Sequence, residues 1–181
     1  MAACTIILTG ERGVGKSTVC QKTVELAQAR EYTCGGIITL RRSDEALEVL
    51  DVRAGDVRQL SVGPDVNPAV IQGRYRFDPQ TLAWGNTVLR HATPCHLLVI
   101  DELGPLEMDQ GKGWTVAFDK LRRSKFALAI AVVRPERVVQ AQIHLPSSAT
   151  TVLAVTEDNR DDLPGTILHV LESEIDDDSD F

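Results

Sequence analysis

The segment Gly10-Glu11-Arg12-Gly13-Val14-Gly15-Lys16-Ser17-Thr18 carries the spacing G-x-x-x-x-G-K-S. Residues of these types in this order can cradle a chain of phosphates. Glycines let the backbone curl around an anion without Cβ clashes. Successive N–H groups and a helix N-terminus then point at it. Lys16 is expected to reach the β- and γ-phosphates, and the Ser17 hydroxyl to hold Mg²⁺. Arg12 could also touch phosphate, although positions of its kind often face solvent. Far along the chain, Leu97-Leu98-Val99-Ile100-Asp101-Glu102 ends an apolar run in two acids. Asp101 is expected to hold Mg²⁺ through its water shell, because this cation gives up water reluctantly. Glu102 is expected to polarise a water in line with the γ-phosphate as a general base. Arg134 follows the apolar stretch Phe126–Val133. If that stretch neighbours the Asp101 strand, its guanidinium can stabilise charge developing in the transition state; the other reading is a capping or surface arginine. Asn159 and Arg160 lie in a late loop, Thr156–Asp161, where a nucleotide base would sit, and could contact or cover it. Helix capping is the alternative there. Trp84 and Trp114 could stack on a base or pack in the core.

These groups act together only if particular elements deliver them. Thr5-Ile6-Ile7-Leu8-Thr9 reads as a buried strand entering the glycine loop, and Val19, Cys20, Thr23, Val24 and Ala27 recur at helical spacing after it. That helix ends near Arg30. Gly36–Leu40, Leu47–Val52 and Val57–Val62 are short extended stretches joined by links too short for helical crossovers, so they pair antiparallel at an edge of the sheet. Gly73–Phe77 is another extended candidate. Asp78-Pro79 opens a helix running to about Ala92, as N-cap and first helical position. Leu97–Ile100 and Phe126–Val133 are uninterrupted apolar runs, as strands buried on both faces require. Helices are expected near Trp114–Arg123, after Pro135 and over Leu163–Leu171, with Thr150–Thr156 as a last core strand. Alternation of this kind gives an α/β fold: a three-layer P-loop sandwich with a mainly parallel sheet and an antiparallel edge extension. In such sheets ligands bind at the C-terminal strand edge, where Asp101 falls.

The chain has 181 residues, 43% hydrophobic and 25% charged, with a net charge of −7. That suits a single domain, about residues 1–171, able to bury about 70% of its unfolded surface. Residues 172–181 are acidic and almost free of apolar side chains, which reads as a disordered tail. The negative balance argues against a broad grip on nucleic acid or anionic lipid. Arg41-Arg42 and Arg122-Arg123 read as solvated surface pairs. Cys4, Cys20, Cys34 and Cys95 are too scattered for a zinc site or disulfide framework and read as reduced thiols. No apolar run is long enough to span a bilayer, and no signal-peptide pattern precedes the first strand, which points to a soluble cytoplasmic protein.

The ordered set of motifs resembles the cancer-related nucleoside-triphosphatase family. The resemblance covers about Thr5 to Leu171. It rests on Gly10–Thr18, Gly35–Thr39 with Arg42, Gly73-Arg74-Tyr75, Asp101-Glu102-Leu103-Gly104 with Glu107, and Thr156 with Asn159-Arg160-Asp161 and Leu163-Pro164. It implies a RecA-like fold and Mg²⁺-dependent hydrolysis of nucleoside triphosphates, ATP and GTP among them, with loose base preference. Lys16, Ser17, Asp101 and Glu102 then take the roles argued above. The chain departs from the family where a lysine and methionine commonly stand before the second glutamate; here they are Pro105 and Leu106. It also lacks an acidic residue expected before Arg42. Two rival readings remain at this point. One is a P-loop nucleoside or nucleotide kinase, which needs an acceptor pocket. The other is a slow nucleotide-dependent switch that docks a protein partner through the 40–62 insertion or the acidic tail.

Overall fold

The computed structural model describes residues 4–44, 46–123, 125–146 and 149–177. In chain order its elements are β1 (Cys4–Thr9), α1 (Lys16–Ala29), β2 (Cys34–Arg41), β3 (Leu47–Asp51), β4 (Val57–Gln59), β5 (Val70–Gln72), β6 (Tyr75–Phe77), α2 (Pro79–His91), β7 (Cys95–Leu103), α3 (Pro105–Met108), α4 (Ala117–Arg123), β8 (Phe126–Val133), a 3₁₀ turn (Pro135–Arg137), α5 (Val138–Ile143), β9 (Thr150–Ala154) and α6 (Leu163–Asp177).

Every residue of β8 is buried, so this strand needs neighbours at both sides and a layer on both faces. It has them. The main sheet runs β4-β3-β2-β7-β8-β1-β9. The five strands from β2 to β9 are parallel, whereas β3 and β4 extend one edge antiparallel. Helices α1 and α6 cover one face, where Val19, Val24, Ile167 and Leu171 meet Leu8, Leu97, Val99 and Ile130. Helices α2 and α4 cover the other, where Leu82, Leu89 and Leu121 meet Ile37, Leu98, Ile100 and Ala129. This is the three-layer α/β sandwich expected, with the antiparallel extension in place.

Asp78 caps α2 as its sequence requires, its carboxylate accepting from the Gln80 and Thr81 backbone N–H groups at 3.1 and 3.2 Å. Three details differ from expectation. Strand β9 is not a core strand: it closes the sheet as an edge, and its Thr150-Thr151-Val152-Leu153-Ala154 residues are largely exposed. The Tyr75–Phe77 stretch does not stand alone but pairs with β5 in a separate two-stranded ribbon. Helix α6 also continues past Leu171 to Asp177. Ile175 extends the apolar stripe of Ile167, Leu168 and Leu171 onto the same core, and Arg30 of α1 pairs with Glu172. The rest of the acidic stretch lies outside the described residues. Among the described residues, no helix is long and apolar enough to cross a membrane. All four cysteines are free.

Candidate active site

The glycine loop leaves β1 at the C-terminal edge of the sheet and enters α1 at Lys16. Gly10 has φ 142°, and a Cβ there would stand 2.6 Å from the Val155 carbonyl oxygen, so both backbone shape and space demand glycine. The Lys16 ammonium is tucked under the loop, donating to the Gly10 and Glu11 carbonyls at 2.6 and 2.8 Å. Burial lowers its pKa, and the nearby Glu102 and Asp101 carboxylates oppose that shift.

Strand β8 lies between β1 and β7, so the loop and the acids flank the end of β8, where Arg134 begins the next segment. At the end of β7 the ladder with β8 slips: Ile100 faces Ala131 but Leu103 faces Val133. The extra residue is a β-bulge. Glu102 takes φ 67° within it, a left-handed conformation rare outside glycine and of the kind stored at functional sites. The bulge returns Leu103 to the apolar core and turns Glu102 out to a cavity.

Asp101 is fully buried on the α1 side. Its Oδ2 accepts from the Thr39 backbone N–H at 3.1 Å. Its Oδ1 is buried without a hydrogen-bond partner among the described residues, as is the Thr39 hydroxyl. Burial raises its pKa and the adjacent Glu102 raises it further, while Ser17, the Thr39 N–H and Lys16 favour the anion. A buried oxygen pair with spare lone pairs beside a serine hydroxyl suits a hard, oxygen-seeking cation. Glu102 Oε2 and Arg134 Nε stand 3.9 Å apart, both side chains partly open. These groups enclose a cavity of about 370 Å³, lined by loop residues Gly10–Gly13 and Gly15–Thr18, Thr39, Arg41, Glu102 and Arg134. Val14 stands at its back, packed on the α1–α6 core.

The late loop reaches the other side of the glycine loop. Arg160 donates to the Val14 carbonyl at 3.4 Å and its stem flanks Gly15. Asn159 is spent on its own loop: its Oδ1 accepts from Thr156 N–H at 2.8 Å and its Nδ2 donates to Ala154 O at 2.9 Å. It therefore shapes the loop that carries Arg160. Neither tryptophan lines the phosphate-loop cavity. Trp114 is buried in the α2–α4 core, and Trp84 lies under the Arg58 guanidinium at 4.6 Å.

Three contributors, Thr39, Arg41 and Glu107, had no assigned role in the sequence, and a fourth, Arg12, was expected to touch phosphate or face solvent. The Thr39 backbone N–H carries no side-chain signal. Arg41 is exposed, as expected, but it also lines this cavity and a second one of about 250 Å³ that shares Glu102 and Arg134 with it, unlike Arg42, which pairs outside with Glu48. Arg12 does not simply face solvent: it donates to the Tyr75 hydroxyl at 2.8 Å. Glu107 accepts from the Gly104 and Trp114 backbone N–H groups at 2.9 and 2.8 Å. Burial pushes its carboxyl up to about 7 despite those donors. Among the described residues, no group of three or more His, Cys, Asp or Glu side chains forms a metal cluster.

A protein-family model described as NTPase matches residues 5–168. The chain is 34% identical over 178 residues to the nucleoside-triphosphatase THEP1 of Methanosarcina barkeri, covering 90% of this chain and 94% of that protein. It is 32% identical over 168 residues to the THEP1 of Methanosarcina acetivorans, covering 90% and 93%. The crystal structure of THEP1 from Aquifex aeolicus superposes with a TM-score of 0.69 at 21% identity, over 93% of this chain and 99% of that one, and shares its fold.

Proposed function

The chain belongs to the NTPase family and hydrolyses nucleoside triphosphates; we propose that it does so with Mg²⁺, by in-line attack of a water held by Glu102. The observation that carries this reading is the convergence of Lys16, Ser17, Glu102 and Arg134 on one cavity from three strand ends, with Asp101 buried behind it against Ser17 and Lys16.

Each group has a role that its surroundings support. The glycine loop and α1 N-terminus bind the triphosphate tail through backbone N–H groups. Lys16 turns from the loop carbonyls to the β- and γ-phosphates. Ser17 and Asp101 would hold the cation, the partnerless Asp101 Oδ1 being free to accept on its side. When bound, Mg²⁺ neutralises the charge that gathers on the phosphate oxygens. Glu102, turned out by the bulge, takes a proton from the attacking water, and a carboxylate in that position contributes about 10²- to 10⁴-fold. Arg134, held beside Glu102, meets charge on the γ-phosphoryl oxygens as the bond to the leaving oxygen breaks.

Base selection is loose on this reading. The late loop offers the stem and guanidinium of Arg160, and the one amide that could read a base edge, on Asn159, is tied to its own backbone. The test is steady-state phosphate release from ATP, GTP, CTP and UTP, with and without Mg²⁺. Release from all four, within about tenfold in kcat/KM and lost when the cation is chelated, supports the proposal. Selectivity for one base, or turnover that survives chelation, overturns it.

A further inference from the structure

Glu102 and Arg134 face each other at 3.9 Å just where the sheet lets go of them. The last pair in the β7–β8 ladder is Leu103 with Val133. Glu102 stands one residue before that pair, inside the bulge, and Arg134 one residue after it. The ladder therefore holds the strands but not the segments that leave them. Hydrolysis by the proposed route needs both side chains fixed about one small group, the γ-phosphoryl. A misplacement of about 1 Å there can cost about 10²-fold in rate.

The two segments meet again further out. Past β7, Gly104 opens α3, and Asp109 closes it, its N–H donating to the Pro105 carbonyl at 3.0 Å. Past β8, the 3₁₀ turn folds back, and the Arg137 N–H donates to the Arg134 carbonyl at 2.9 Å. Arg137 and Asp109 then join as fork and carboxylate. Arg137 Nη1 donates to Asp109 Oδ1 at 3.0 Å, and Nη2 lies 2.8 Å from Oδ2. Gln140, in α5, closes the triangle. Its Oε1 accepts from Arg137 Nη1 at 2.8 Å, and its Nε2 donates to Asp109 Oδ1 at 3.1 Å.

A lone surface ion pair does little, but a bidentate arginine–carboxylate pair within a network holds geometry. This one is tied at both ends. On one side the Glu107 carboxyl accepts from the Gly104 N–H at 2.9 Å, which binds α3 to the end of β7, next to the bulge. On the other, a single turn links Arg137 to Arg134, and Arg134, Pro135 and Glu136 all line the phosphate-loop cavity. Arg137, Asp109 and Gln140 do not line it. Their effect on the site has to pass through the segments they join.

We propose that Arg137 and Asp109, braced by Gln140, are positioning residues for hydrolysis: they latch the Arg134 turn to the α3 segment and so fix Arg134 against Glu102. The inference rests on the roles read above for those two groups. An arginine fork suits the task because its two parallel bonds set an angle as well as a distance, and Arg134 has to be aimed, not merely kept near.

The test uses the full-length protein and separates aiming from general support. In Arg137→Ala, kcat should fall about tenfold or more. Equilibrium affinity for a non-hydrolysable triphosphate should stay within a few-fold, because the glycine loop hangs from β1 and is not touched. Asp109→Ala cuts the latch from its other end; it should show the same loss and add nothing to Arg137→Ala. In an Arg134→Ala background, Arg137→Ala should cost little more, because no arginine is left to aim. A merely structural role would lower the rate by the same factor in both backgrounds. Wild-type kcat in Arg137→Ala, a loss of affinity equal to the loss of rate, or losses that multiply in the Arg134→Ala background would each overturn the latch while leaving NTP hydrolysis standing. Wild-type turnover in Arg134→Ala alone would instead remove the premise.

Discussion

The two cavities that meet at Glu102 are built by opposite means. The phosphate-loop cavity is made largely of contiguous backbone, a few glycines and one helix start, with two charged groups buried beneath it, Lys16 at 8% and Asp101 at 0% exposure. The second is made of side chains gathered from β2, the β5–β6 ribbon, α2 and the segment leading to α4, and its charges sit exposed on the rim. A backbone site offers fixed dipoles and low dielectric, so each of its charges counts heavily. A side-chain site adapts to a ligand, and any one contact counts for less.

The largest effect should come where the two meet. Glu102→Gln keeps the volume and the hydrogen-bonding reach but removes the base. Phosphate release should fall about 10²- to 10⁴-fold, with affinity for a non-hydrolysable triphosphate unchanged within a few-fold. Single-turnover rates and equilibrium titration read the two separately. A loss of affinity equal to the loss of rate would make Glu102 a binding residue and erase its distinction from the rim arginines. Lys16→Ala probes the backbone cavity alone. Its ammonium makes charge-assisted hydrogen bonds, so triphosphate affinity should fall about tenfold to a hundredfold, measured by titration with the same analogue. Unchanged affinity would mean that the tail binds elsewhere.

The same difference in construction decides what could be read from the residues alone. The glycine loop, the β7 acids and the strands around them were legible because backbone cradles and doubly buried strands impose spacing on contiguous residues. Asp78 at the start of α2 was legible for the same reason. The second cavity was not. Arg41 looked like its neighbour Arg42, since adjacent strand residues point to opposite faces and only the pairing of β2 with β3 and β7 decides which one faces inward. Tyr75 stood in the motifs of the family resemblance, but its place at the cavity came only with the β5–β6 ribbon, whose three-residue strands are too short to show alternation. Strand β9 looked like core because its threonines and valine favour strands, but β propensity does not distinguish an edge from a centre. The bulge at Asp101-Glu102 left no trace in an apolar run that simply ends in two acids. The end of α6 was missed because charge outweighed one well-spaced residue, Ile175.

The smallest effect concerns Glu107, which lends the side-chain cavity a fixed wall. Its two carboxylate oxygens tie Gly104, at the mouth of β7, to Trp114, in the core. Gly113 is required for this approach, because a Cβ there would strike Glu107 Oε1. An amide has one acceptor oxygen, so Glu107→Gln leaves one of the two N–H groups unsatisfied and should cost about 1–3 kcal/mol of stability. The pH dependence follows from the carboxyl's raised pKa of about 7 in the fold, against an ordinary 4.5. Between those values the folded state holds a proton that the unfolded chain has released. This contribution to stability is therefore complete below about pH 4.5, is lost as pH rises through about 7, and stays lost above it. Thermal melts from pH 5 to pH 8 should show the wild-type protein losing this increment while Glu107→Gln does not, so that the gap between them narrows with rising pH. Parallel curves would mean that Glu107 is ionised throughout, and that the wall of the side-chain cavity is held by a permanent charge like those of the phosphate loop.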